Sequence, residues 1–259
     1  MIIDTHAHYD DGAFDEDRSS LLSSMNAHGI EKIVNVCADM ESLNRLGPLM
    51  EAYPFVYGAA GIHPDDAPLV NEAVLDKIRG MAALSKVVAI GEIGLDYYWH
   101  KEPEEHARQQ VVFRAQMDLA RDVKLPFIIH SREAAADTLQ IVREYMAGGG
   151  MAGGILHCFS YSWEMARQYL DMGLYLGIGG VVTYKNARKL VEVVEKAPLS
   201  GLLLETDCPY LPPVPHRGER NSSLYLPLVA RRIAEIKGIT AEEVIRVTRE
   251  NAVKLLKLS

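Results

Sequence analysis

The chain opens with MIIDTHAH, residues Met1 to His8, a short apolar stretch that ends in two histidines. In an extended strand successive side chains point to opposite faces, so His6 and His8 project the same way. Two imidazoles held at the end of a strand supply half of a metal site. Two ordinary surface histidines are the alternative, because short motifs often arise by chance. The rest of the chain therefore has to provide the other ligands.

Composition narrows the class of protein. The chain has 259 residues, of which 48% are hydrophobic and 24% charged, and barrels of this length are common as one domain. The sequence shows neither a bilayer-spanning apolar run nor a signal peptide, and three cysteines without Cys-x-x-Cys spacing favour reduced thiols in the cytoplasm. A net charge of −8 argues against diffuse attraction to nucleic acid, which would need a local basic patch or bound metal.

One rhythm runs through the chain: a short apolar strand, a polar loop and an amphipathic helix. The predicted strands are Ile2–Thr5, Lys32–Val36, Val56–Gly61, Val87–Ile90, Phe127–Ile129, Gly154–Leu156, Leu174–Ile178 and Leu202–Leu204. The predicted helices are Asp17–His28, Met40–Ala52, Asn71–Leu84, Glu104–Val123, Ala134–Ala147, Ser162–Asp171, Ala187–Lys196, Ser222–Ile236 and Ala241–Leu256. Eight such units predict an α/β fold with parallel strands, a TIM-like (β/α)8 barrel forming a single domain over residues 1–259. An open doubly wound sheet is the alternative, although it more often has a glycine-rich turn after its first strand.

Parallel barrels gather their chemistry at the carboxyl ends of the strands. Six of the eight predicted strands end on a histidine or an acid, and five of the nine histidines lie there. Histidine nitrogen and carboxylate oxygen suit zinc, manganese and related divalent ions. The set exceeds one tetrahedral site and suits two ions bridged by Glu92, which lies on the middle strand of the set. The predicted metal ligands are His6, His8, Glu92, His130, His157 and Asp207.

The mechanistic hypothesis is metal-assisted hydrolysis, in which an activated water attacks the phosphorus of a phosphodiester. Asp207 is predicted to accept the proton of that water as general base. Glu205 has the opposite face by alternation, and it either orients a histidine or faces the barrel exterior. His63 either contacts the scissile phosphate or is a loop histidine held by Pro64.

Three further groups of residues are candidates for substrate binding. Arg132 either pairs with a phosphate oxygen or forms a salt bridge to Glu133 or Asp137. A local basic cluster lies in a proline-rich loop, where it either grips a phosphate backbone or is tied down by internal hydrogen bonds. An aromatic run after Glu92 either stacks a base or packs into the core. The basic cluster is His216, Arg217 and Arg220, and the aromatic run is Tyr97, Tyr98 and Trp99.

Taken together, the motifs resemble those of a known family. The matching stretches are DTHAH (4–8), GIHP (61–64), GEIGLD (91–96), HSRE (130–133), HCFS (157–160), ETDCPY (205–210) and HRGERN (216–221). They occur in family order over nearly the whole chain. The chain resembles the TatD-type metal-dependent hydrolases, a deoxyribonuclease family of the amidohydrolase superfamily. Glu92 stands where the wider superfamily usually has a carboxylated lysine, which favours the TatD branch.

The resemblance implies a TIM-like barrel with two divalent cations per chain, Mg, Mn or Zn. The first ion would be bound by His6, His8, Glu92 and Asp207, and the second by Glu92, His130 and His157. His63 and Glu205 would lie beside the metals. The resemblance further implies a 3′→5′ exonuclease acting on single-stranded DNA. The sequence leaves both a monomer and a homodimer open. The alternative is a hydrolase of small-molecule or aminoacyl esters and amides.

Three positions depart from the family pattern: Tyr9, Tyr161 and Cys208. None of them is a predicted ligand. We expect Tyr9 and Tyr161 to shape the mouth of the pocket, and Cys158 and Cys208 to be packing residues.

Overall fold

The computed structural model describes residues 1–258. Eight strands form one parallel sheet in sequential order: β1 Ile2–Ala7, β2 Ile30–Val36, β3 Val56–Ala60, β4 Val87–Asp96, β5 Phe127–Arg132, β6 Gly154–Leu156, β7 Tyr175–Ile178 and β8 Leu202–Leu204. The α-helices are α1 Arg18–Ser24, α2 Met40–Ala52, α3 Glu72–Ala82, α4 Pro103–Val123, α5 Ala135–Gly148, α6 Trp163–Asp171, α7 Arg188–Lys196, α8 Leu226–Lys237 and α9 Ala241–Leu256. Short 3₁₀ segments lie at Gly12–Phe14, Asn26–His28, Pro64–Leu69, Gly180–Thr183, Leu199–Gly201 and Ser223–Tyr225.

The sheet closes on itself where the first strand meets the last. Ala7 forms a parallel bridge with Cys208, and the His8 N–H donates to the Cys208 carbonyl at 2.8 Å. The Thr5 hydroxyl donates to the carbonyl of Leu204 at 3.0 Å. The predicted (β/α)8 barrel is therefore confirmed, and the open sheet is excluded.

A buried carboxylate stabilises this closure. Asp4 is fully buried, and its Oδ1 accepts the N–H groups of Thr206 at 3.0 Å and of His6 at 3.3 Å. Its Oδ2 accepts the hydroxyls of Thr206 and Ser223, each at 2.6 Å. Burial raises the pKa of Asp4 to about 7, although the four hydrogen bonds oppose that rise. The Asp4 carboxylate thus links β1 to Thr206, directly before Asp207, and to Ser223, which precedes α8.

Two apolar clusters fill the molecule. The larger joins the helices to the outer surface of the barrel, with the side chains of Phe113, Leu176 and Ile233 among its members. The smaller draws its members from the strands and from the end of α9, including Ile3, Leu203 and Leu255. Because its members come from opposite strands, this cluster fills the barrel interior, and the end of α9 covers it.

Some element boundaries differ from the prediction. The predicted first helix is shorter, because Arg18–Ser24 gives way to a 3₁₀ turn that ends at Gly29 with a φ of 83°. Strand β4 continues to Asp96, with all of its residues buried, so Glu92 lies inside the strand. Helix α8 starts at Leu226, because the serines before it bond to Tyr9 and Asp4 instead of extending the helix. None of the helices within residues 1–258 is both long and apolar enough to span a membrane.

Candidate metal centre

The predicted ligands meet at the carboxyl ends of the strands. Five of the six border a cavity of about 990 Å³ that opens at this end of the barrel, and the fully buried His6 is absent from its lining. The residues that line it from β4 and β5 are Glu92, Asp96, His130, Ser131 and Arg132, helix α2 contributes Glu41, Ser42 and Arg45, and loops supply the remainder. The cavity is also lined by residues of the loops after β1, β2, β3, β6 and β8, among them His8, Asp39, His63, His157 and Asp207.

One group of donor atoms surrounds the end of β1. The Nε2 atoms of His6 and His8 lie 3.1 Å apart, as strand alternation predicts. Oε2 of Glu92 lies 3.3 Å from Nε2 of His6, and Oδ1 of Asp207 lies 3.3 Å from Nε2 of His8. Donors about 2.1 Å from a tetrahedral metal are separated by about 3.4 Å. These four donors therefore have the spacing of a ligand shell.

Glu92 connects this group to a second one. Its Oε1 lies 2.9 Å from Nδ1 of His130 and 3.8 Å from Nε2 of His157. Its Oε2 faces His6 and His8 instead, at 3.3 and 3.9 Å. The carboxylate is buried, and its two oxygens thus face two different pairs of imidazoles.

The candidate ligands interact strongly through their charges. Burial lowers the pKa of His8, His130 and His157, but the facing carboxylates outweigh it and raise each pKa to about 9. Burial raises the pKa of Glu92 and Asp207, yet the imidazoles hold both below their ordinary values. The buried carboxylates of the centre are therefore ionised, and their negative charge is balanced by the facing imidazoles. A divalent cation would balance the same negative charge. The donor chemistry and the spacing both fit such an ion.

Neighbouring acceptors set the orientation of three candidate ligands, the imidazoles of His8, His130 and His157. Nδ1 of His8 lies 2.8 Å from the carbonyl of Val36, which only accepts, so the ring keeps its proton on Nδ1 when it gives one up, and Nε2 becomes the free donor atom that faces the cluster. Nε2 of His130 lies 3.1 Å from Oδ2 of Asp96. Asp96 was not among the predicted site residues, although an acid four residues after Glu92 on the same strand was a usable signal.

Glu205 lies behind His157. Its Oε1 lies 3.0 Å from Nδ1 of that ring and accepts the Cys158 N–H at 2.6 Å. Because the carboxylate contacts the ring of a candidate ligand and does not face the outer helices, the barrel-exterior alternative is wrong. A Cβ at position 177 would collide with the Glu205 carboxylate, which is why the adjacent strand has Gly177 there. Glu205 is placed to orient an imidazole, and it is absent from the cavity lining.

His63 and Arg132 both border the cavity. The His63 ring packs edge-on against His130 with centroids 4.3 Å apart, and its Nδ1 lies 3.4 Å from Oδ2 of Asp65. Arg132 makes neither of the predicted salt bridges, and within residues 1–258 it forms no ion pair. Its guanidinium instead lies 4.0 Å from the centroid of the Tyr98 ring.

The basic loop cluster is not brought to the cavity. His216 stacks on Tyr225 and lies 2.8 Å from Glu219, and Arg217 covers the ring of Tyr184. Arg220 forms a salt bridge to Asp17 at 2.6 Å. Internal contacts thus account for all three side chains, and none of them lines the cavity.

The two tyrosines expected at the pocket mouth are elsewhere. Tyr9 is fully buried and packs on Phe14, with its hydroxyl 2.9 Å from the Ser223 hydroxyl, so the expectation for it is wrong. Tyr161 is half-buried, and its hydroxyl lies 2.9 Å from the hydroxyl of Ser131. It lies behind that serine and outside the lining, so this expectation is also wrong. In both cases the direction of the ring depends on its tertiary neighbours, which a sequence pattern does not specify.

A parallel barrel with a histidine and carboxylate cluster at the carboxyl ends of its strands defines a metal-dependent hydrolase. The comparisons agree with this class. The family model described as TatD related DNase matches residues 3–257. The chain belongs to this family.

Named relatives extend over the whole length. The chain is 45% identical to an uncharacterized metal-dependent hydrolase, YabD, of Bacillus subtilis, with 100% of both chains covered. It is 37% identical to the uncharacterized metal-dependent hydrolase TatD of Mycobacterium tuberculosis, with 97% of this chain and 96% of the relative covered. The crystal structure of YjjV, a TatD homolog from Escherichia coli, superposes with a TM-score of 0.91 at 30% identity, covering 100% of this chain and 98% of that one.

Proposed function

We propose that this protein hydrolyses phosphodiester bonds of single-stranded DNA with two bound divalent cations. The observation that carries the proposal is the position of Glu92, whose two carboxylate oxygens face two separate pairs of imidazoles. A carboxylate in that position is suited to bridge two ions, and two-metal sites are well adapted to displacement at phosphorus. The family name adds weight to DNA as the substrate.

The donor sets divide between two ions. His6, His8, Glu92 and Asp207 would hold the first, and Glu92 with His130 and His157 would hold the second. Histidine-rich donor sets favour manganese or zinc over magnesium. When bound, the ions would polarise a phosphoryl oxygen and lower the pKa of a water molecule.

Residues of this chain supply the other parts of the reaction. Asp207 is 17% exposed and borders the cavity, so its carboxylate reaches the place where a water enters and accepts that water's proton. His63 reaches the cavity from the other side of His130 and is placed to contact a phosphate oxygen. Arg132 offers a guanidinium free of carboxylate partners within residues 1–258. Glu205 orients His157.

The test compares substrates and metals directly. Purified protein is stripped with a chelator, reloaded with Mg, Mn or Zn, and analysed for bound metal per chain. Turnover of end-labelled single-stranded and duplex DNA is then measured for each metal. We expect activity on the single strand only after metal is restored, with about two ions per chain. A chain that takes up the metals and leaves DNA intact contradicts the proposal.

A second candidate is hydrolysis of a compact ester, such as an aminoacyl ester. The observation in its favour is the charge of the cavity, which is lined by two guanidinium groups, Arg45 and Arg132, and by eight carboxylates. Arg45 is already bound to Glu41. The carboxylates are Asp10, Asp11, Asp39, Glu41, Asp65, Glu92, Asp96 and Asp207. An acidic cavity lining of this kind repels a long polyanion more than a small neutral substrate. Parallel assays with aminoacyl esters and with single-stranded DNA separate the two functions.

A further inference from the structure

One wall of the cavity differs from the others in its chemistry. Trp99 follows β4, lines the cavity, and is 65% exposed, the largest exposure among the large hydrophobic side chains of residues 1–258. Beside it stands Arg132, whose guanidinium lies 5.5 Å from the Trp99 ring centroid. A single exposed aromatic side chain is common on protein surfaces, but this one lines a cavity beside a cation, where ligand sites have aromatic and polar groups together. Because the indole of Trp99 lines the same cavity as the candidate metal ligands, it can contact a molecule bound in that cavity.

The neighbouring Tyr97 and Tyr98 have polar or charged partners on their rings, whereas Trp99 packs edge-on against Tyr98 at 4.7 Å and leaves most of its surface open. The ring of Tyr97 stacks on His106 at 3.6 Å, and its hydroxyl donates to Asp137 at 2.8 Å. The ring of Tyr98 carries the guanidinium of Arg132 at 4.0 Å, and the amine of Lys101 lies 5.1 Å from the same ring. Two cations are thus held against Tyr98, next to an indole with a largely open surface.

The turn that bears Trp99 is fixed to the metal centre. Oδ1 of Asp96 accepts the N–H of Tyr98 at 2.8 Å and the N–H of Trp99 at 3.1 Å. Oδ2 of the same carboxylate lies 3.1 Å from Nε2 of His130. One buried carboxylate therefore positions both a candidate metal ligand and the backbone of the exposed indole. Movement of Trp99 relative to the centre is restricted, as expected of a binding subsite.

We infer that Trp99 and Arg132 form a nucleotide subsite, in which the indole stacks an unpaired base and the guanidinium binds the adjoining phosphate. This inference rests on the proposed function and specifies which part of the substrate that wall contacts. Every base has a flat face, so the subsite accepts any base but requires it to be unpaired. A planar cation beside an open indole matches a base followed by a phosphate better than it matches a neutral ester.

The experiment measures binding separately from turnover. The magnesium-loaded protein is titrated into a labelled, phosphorothioate-linked pentathymidylate that resists hydrolysis, and anisotropy gives the Kd. We compare Trp99→Ala with Trp99→Phe, which keeps an aromatic face, and we repeat each titration with an oligonucleotide carrying abasic positions. Base stacking contributes about 1–3 kcal/mol, so we expect Trp99→Ala to raise the Kd by about fivefold to 150-fold. Trp99→Phe stays near the parent value.

Two further readouts are specific to stacking. The abasic oligonucleotide binds weakly to the parent protein, and Trp99→Ala weakens it no further, because the stacking partner is already missing. Tryptophan fluorescence of the parent is quenched by the intact oligonucleotide, and Trp99→Phe loses the quenching while retaining affinity. The other tryptophan, Trp163, starts α6 and packs against the core, so it provides an unquenched background.

The inference and the proposed function fail in different ways. If Trp99→Ala binds the intact oligonucleotide as tightly as the parent, or if the parent does not bind it, the subsite is overturned. If the stacking signature is present and none of the metal-loaded forms cleaves DNA, the subsite stands and the proposed nuclease function is wrong.

Discussion

Glu205 and His157 form a close buried pair, in which Oε1 of the carboxylate lies 3.0 Å from Nδ1 of the imidazole. The carboxylate also accepts the N–H of Cys158, so it cannot turn away from the ring without losing a hydrogen bond. Proton-accepting partners of this kind fix the ring and raise the basicity of its other nitrogen. That other nitrogen, Nε2, faces Glu92 and Asp207.

Glu205→Gln is therefore expected to weaken metal binding without removing a ligand. Loss of such a partner typically lowers metal affinity by about tenfold to 100-fold. Calorimetric titration of the stripped protein with zinc measures the change. Glu250→Gln is the matched control, because Glu250 is exposed on α9 and pairs only with Arg246 within residues 1–258. Equal affinities for the two variants would remove Glu205 from the metal centre.

Asp207→Asn tests the proton acceptor. The amide keeps the size and one oxygen of the carboxylate but accepts a proton poorly. General-base catalysis contributes about 100-fold to 10,000-fold, so kcat on single-stranded DNA should fall by that factor. Metal content is measured on the same sample, since Asp207 also faces His8 at 3.3 Å. Full turnover with both metals present would show that another group takes the proton.

Arg132→Gln and Arg220→Gln distinguish a cavity residue from a residue of the loop outside it. Arg132 lines the cavity, whereas Arg220 is bound to Asp17 and lies outside the lining. A hydrogen bond to a charged group contributes about 1.5–3 kcal/mol, so Arg132→Gln should raise the KM for the oligonucleotide by about tenfold or more. Arg220→Gln should leave the KM within about twofold. The reverse order would restore the phosphate-gripping role predicted for the basic loop.

Gly177→Ala tests the space that Glu205 occupies. An added methyl group would collide with the Glu205 carboxylate, so either the carboxylate or the strand has to move. Overpacking of this kind typically costs about 1–3 kcal/mol of unfolding free energy, measured by urea denaturation of the stripped protein. Gly80→Ala is the control, since Gly80 lies inside α3 with no atom near the added group. That substitution should stabilise the protein by up to about 1 kcal/mol.

The sequence by itself determined the barrel and the approximate position of its chemistry. Alternating strand and helix patterns are local, and the carboxyl ends of parallel strands meet at one end of a barrel regardless of loop detail. For this reason His6, Glu92 and His157 were placed together although they lie far apart in the chain. Their metal-binding role stays a prediction.

Only the tertiary structure decided what stands behind the candidate ligands and which loop side chains reach the cavity. Glu205 turns toward His157, Asp96 joins His130 to the Trp99 turn, and Tyr9 is buried under Ser223. Loops lack a period, so the direction of Arg132 or Arg220 depends on neighbours that sequence spacing does not specify. Packing and charge partners settle those directions, and they are present only once the chain has folded.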